Sequence, residues 1–140
     1  MAAPESVIAE QVALKPLFDR LAGLMGQAAG ILLLSHAGGD PARERLHLIA
    51  MREQYAAAGA VLGAMPRPRG LAASFDAAQR VLPMLGDILR SLERRLPSAD
   101  DSKALLGRLL EARHILLDGS APSHGLGLID LTGACCAGHH

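Results

Sequence analysis

The chain has 140 residues, half of them hydrophobic, and its fourteen basic residues offset fourteen acidic ones for a formal net charge of zero. That length suits one domain with a sizeable core, and the apolar share excludes wholesale disorder. The neutral balance argues against the basic surface that nucleic-acid binding requires, and Phe18, Phe75 and Tyr55, the only aromatics, make a poor stacking platform for single strands.

A core of Leu, Ala, Val, Ile and Met favours helices over strands. The spacing predicts an all-α protein, an up-down-up-down four-helix bundle over 1–118, with helices near 5–35, 41–64, 70–96 and 99–118. A flexible, irregular Gly/Cys/His-containing tail is expected over 119–140. The start, MAAPESVIAE, lacks the basic and apolar regions of a signal peptide, so a cytoplasmic location with reduced thiols is expected.

In the first helix Leu14, Leu17, Leu21, Leu24, Ala28 and Ile31 step by three and four, with Phe18, Met25 and Leu32 alongside. Pro16 predicts a kink, or a separate short helix before it. The apolar run 21–34 contains Gln27 and falls short of the ~20 residues a bilayer span needs, which predicts a core helix and no membrane.

At the second helix Asp40 can cap the free amides and Pro41 fits the first helical position. Pro66 and Pro68 stop it. Leu48, Met51, Tyr55 and Leu62 form one apolar stripe; Leu46, Ala50, Ala57 and Val61 form another. Either this helix is central or one stripe faces a partner chain, in which case charges at Leu48, Met51 or Leu62 are expected to break an oligomer or complex. The third helix carries a heptad seam of Leu71, Phe75, Ala78, Leu82, Leu85, Leu89, Leu92 and Leu96, with Pro83 inside it as an expected kink. In the fourth, Ser98 and Asp101 match a capping box, and Leu105, Leu106, Leu109, Ala112, Leu116 and Leu117 form the face. Arg113 falls near the middle of that face and needs a carboxylate partner or an exit at the helix end. Beyond Gly119, the run LGLIDL (126–131) is apolar enough to pack on the bundle or to add to another chain's sheet edge.

The chain's only cysteines, Cys135 and Cys136, stand beside His139 and His140. Thiolate and imidazole together suit a thiophilic ion: zinc, copper or iron. Adjacent side chains diverge, so this spacing does not build a closed structural zinc site by itself. In an up-down-up-down bundle His114 and His124 lie near the end from which the tail emerges, where the tail can fold back around an ion and Glu10 or Asp76 can add a carboxylate. Redox sensing by the vicinal thiols is the companion expectation.

Two Glu-x-x-His motifs, Glu44 to His47 and Glu111 to His114, lie on the second and fourth helices. In this the chain resembles the ferritin-like carboxylate-bridged bundles, which would imply a dinuclear metal site. The two motifs sit at depths that differ by more than about 10 Å along the bundle, so surface Glu and His is the expectation. HILLDGSA (114–121) is weakly similar to the histidine phosphotransfer motif, with Asp118 where a lysine belongs, and the helical portion followed by a Gly- and Cys-containing tail resembles a peptide-natural-product precursor. No phosphate loop, HExxH, nucleophile elbow or serine-histidine-acid set is visible, so the reading leans away from an enzyme. Two readings result: a small binding protein whose tail holds a metal ion or senses redox state, and an assembly module contacting a second copy or another protein.

Overall fold

The three-and-four spacing of the apolar residues resolves into four helices in the computed structural model: α1 (Pro4–His36), α2 (Pro41–Ala64), α3 (Ala72–Arg94) and α4 (Ala99–Gly119). The structure describes residues 4–38, 40–94 and 99–120, and no strand occurs among them. The protein is all-α.

At 33 residues, α1 is the longest element, about 50 Å from end to end. It runs unbroken through Pro16, so no separate short helix precedes that residue. A proline removes one backbone bond, while buried Leu14, Leu17 and Phe18 hold the helix to the core on both sides of it. Its stretch 7–35 is long and apolar enough to cross a membrane by length and composition. In this fold Leu14, Phe18, Leu21, Leu24, Ala28 and Leu32 of that stretch are inaccessible to solvent. α1 packs against all three other helices, α3 packs against α2 and α4, and α2 and α4 are not closely packed on each other.

Local chemistry fixes the ends. Asp40 accepts a hydrogen bond from the Ala42 N–H at 3.0 Å, and Pro41 begins α2 with no amide to satisfy. Gly38 precedes them at φ +79°, a left-handed conformation that closes the end of α1 without a Cβ penalty. The α2–α3 connection is tied back to α1, because the Glu10 carboxylate accepts from the Arg69 N–H at 2.9 Å and the Gly70 N–H at 3.0 Å. Within that region Arg67 grips Asp76 through two parallel bonds of 2.6 and 2.9 Å.

Contacts between α2 and α3 run in opposite chain order. Arg52 pairs with Glu93 at 2.6 Å, Tyr55 lies over Gly86, and Gly59 meets Leu82. α3's heptad seam is buried at Leu71, Phe75, Ala78, Leu85, Leu89 and Leu92, with Leu82 half-buried; Leu96 lies outside the described residues, as does the capping-box Ser98. The end of α4 is set against the start of α3: the buried Ser74 hydroxyl donates to the Gly119 carbonyl at 2.7 Å. A Cβ on Gly119 would stand 2.5 Å from Ala77 Cβ, so this approach requires glycine.

Two glycines on one helix therefore have opposite expectations. Gly119→Ala, which collides with a short, rigid neighbour, should lower unfolding stability by about 1–3 kcal/mol. Gly107→Ala, at an exposed position where an added Cβ meets nothing within 4 Å, should raise it by about 0.5–1 kcal/mol. Urea unfolding of both variants at constant m-value checks the pair; a shift of the same sign in both would contradict this account of the α3–α4 contact.

Candidate functional site

Helix α2 carries two apolar lines on opposite sides. Glu44, Leu48, Met51, Ala58 and Leu62 are buried, with Tyr55 half-buried among them. The other line faces solvent: Leu46 is 69% exposed, Ile49 59% and Val61 42%, with exposed Ala50 and Ala57 between them. α2 is therefore not the central helix, a place that α1 takes. The expectation that Leu48, Met51 or Leu62 contacts a partner is overturned, because all three are core residues. Their outward counterparts are Leu46, Ile49 and Val61.

Glu44 departs from the surface position expected of it and is only 3% exposed. One carboxylate oxygen lies 3.4 Å from the Ser35 hydroxyl, and the other has no hydrogen-bond partner among the described residues. Its place in the first turn of α2 puts negative charge at the favourable end of the helix dipole. The signal was present in the sequence: Glu44 lies four residues before Leu48 and seven before Met51, on the buried line.

The two Glu-x-x-His motifs do not assemble into a site. Glu44 is buried while His47, Glu111 and His114 are exposed, and they belong to helices that are not closely packed on each other. Among the described residues no group of three or more His, Cys, Asp or Glu side chains is placed to hold a metal ion. Of the residues expected to bind metal through the tail, only His114 lies within the described structure, exposed near the end of α4. His124, Cys135, Cys136, His139 and His140 lie outside the described residues, as does LGLIDL. The two carboxylates considered as added ligands already have structural partners. Glu10 holds the amides of Arg69 and Gly70. Asp76 is held by Arg67, whose hydrogen bonds keep the Asp76 carboxyl below its ordinary pKa.

A second apolar feature lies between α1 and α4, a groove of about 830 Å³. Met25, Leu109 and Leu116 are buried at its base, while Leu106 and Leu117 are half-buried and Leu110 is 55% exposed. Lys15, Asp19 and the half-buried Arg113 contribute its charges, with Lys15 and Asp19 joined at 2.8 Å. Arg113, expected on the apolar face of α4, lines this groove. Nothing in the sequence announced the groove, since it arises from Ala22, Gly23 and Gly26 of α1 facing leucines of α4.

No family model, no curated protein and no solved structure matches this chain.

Proposed function

We propose that the protein is an assembly module: an up-down-up-down bundle that pairs with a second copy of itself through the outward face of α2. The observation that carries this reading is the exposure of Leu46, Ile49 and Val61 along a helix whose opposite side is core. The bundle arrangement is supported by the opposed order of the α2–α3 contacts and by the Ser74–Gly119 bond between the start of α3 and the end of α4.

A second copy fits because the outward line is self-complementary. Two α2 helices pairing antiparallel about a two-fold axis between Glu53 and Gln54 set Leu46 against the second copy's Val61 and Ala50 against its Ala57. Large residues then close the two ends, and the alanines allow close backbone approach in the middle. At the axis Gln54 can donate to the second copy's Glu53. Leu33 and Leu34, 62% and 52% exposed in the last turns of α1, add apolar surface at the end of the chain leading into α2. Zero net charge leaves no overall repulsion between copies.

Burying Leu46 and Ile49 contributes about 1.5–3 kcal/mol each. Leu46→Asp together with Ile49→Asp should thus weaken self-association by at least ~100-fold while leaving the helical circular dichroism unchanged. Sedimentation equilibrium checks this: a wild-type dimer that the double variant loses supports the reading, and a wild-type monomer at every concentration contradicts it.

A second reading is favoured by the donor set of the C-terminal segment. We propose that Cys135 or Cys136 with His139, His140, His124 or His114 takes a zinc, copper or iron ion. Support comes from the two soft thiols and two imidazoles within six residues and from the exposure of His114 near the end of α4. Elemental analysis of untagged protein should find about one equivalent of metal per chain, lost in Cys135→Ser with Cys136→Ser. Metal-free protein with two freely reactive thiols would contradict it.

A further inference from the structure

We infer that the groove between α1 and α4 is the seat of this chain's own 126–131 segment. Helix α4 both forms the groove wall and leads into that segment. Leu116 and Leu117, in its last turn, line the groove, and the Ser120 N–H is bonded to their carbonyls at 2.9 and 3.1 Å. The described chain ends at Ser120, three residues past the groove-lining Leu117.

Composition selects the occupant. Between residues 121 and 140 the large aliphatic side chains are Leu126, Leu128, Ile129 and Leu131, all in one run. Pro122 and Gly125, which favour turns, stand between that run and α4. Lengths also agree. The six residue steps from Ser120 to Leu126 reach up to about 20 Å, enough to reverse direction. From Leu117 back to Leu106 the groove follows α4 for about 16 Å, and the 126–131 run covers about 17 Å when extended. Asp130 is the single charge in the run, and the groove walls carry Lys15 and Arg113 against Asp19.

The fit is open on the α1 side, where side chains added at Gly23 or Gly26 would meet nothing within 4 Å. Seating the run there covers Leu110 and the half-buried Leu106 and Leu117, which the four helices leave uncovered. This inference stands on the groove and the chain length, independently of any ion in the tail and of the α2 face.

The test uses the full chain carrying Cys135→Ser, Cys136→Ser and Thr132→Cys, with a nitroxide label at position 132. Methyl signals of Leu106, Leu110 and Met25 should lose intensity relative to the reduced label, while those of Leu46 and Val61 do not. Adding Leu128→Asp and Ile129→Asp should restore them. A mixed sample decides whose segment is seated: unlabelled-spin, isotope-enriched protein mixed with spin-labelled, unenriched protein should show no loss. Two results overturn the inference: groove methyls unaffected by the label, or a loss that occurs in the mixed sample, which would assign the groove to a second copy's segment.

Discussion

The covered side of α1 runs from Leu14 to Leu32, about 27 Å, and all three other helices pack against α1. α2, α3 and α4, at 24, 23 and 21 residues, each span roughly 32–36 Å. α1 is the helix they surround. The inaccessible residues Leu14, Phe18, Leu21, Leu24, Ala28 and Leu32 are the result. α3 is drawn in deeply, since it touches all three neighbours, and that is why its own buried list runs from Ser74 to Leu92. α2 and α4 each give one side to this arrangement and keep another. The outward line of α2 and the open groove beside α4 both follow from that division.

Close approach at two places fixes the arrangement. Tyr55 lies over Gly86 between α2 and α3, and Gly119 fits beside Ala77 between α4 and α3. The second is the stricter constraint, because a tyrosine can swing its far end aside and an alanine methyl cannot. Two ion pairs lie outside the core: Arg67 with Asp76 and Lys15 with Asp19 are exposed, and such pairs contribute little to stability. Inside lie the Ser74–Gly119 bond and Glu44, a carboxylate held beside Ser35 at the start of α2.

Much of this was legible in the sequence. The steps of three and four in α1 foretold its buried residues from Leu14 to Leu32, because periodicity reports which side of a helix is covered. In α3 the seam held five of the ten buried residues and missed Ser74, Ala77, Val81, Gly86 and Ile88, because this helix is covered on more than one side. Asp40 and Pro41 announced the start of α2 by their capping chemistry. What periodicity leaves open is the choice between two apolar sides of one helix, and α2 posed that choice. Its lines differ little in hydrophobicity, so only packing against α1 and α3 could decide that Leu48, Met51 and Leu62 go inward. Burial of Glu44 was overlooked for a related reason: residue type argued for the surface, and position on the buried line decided otherwise. The groove was illegible because it depends on which side of α1 meets α4, a relation between elements that no single segment carries. Of the tail cluster, only His114 falls where the structure describes it.

The account comes down to the outward side of α2 being a contact surface and not merely an exposed one. The most direct measurement is an isotope-filtered nuclear Overhauser experiment on a mixture of methyl-labelled and unlabelled chains. Cross-peaks between Leu46 methyls of one copy and Val61 methyls of another are the result the account predicts. Intermolecular cross-peaks confined to other surfaces, or none at concentrations where copies associate, would contradict it.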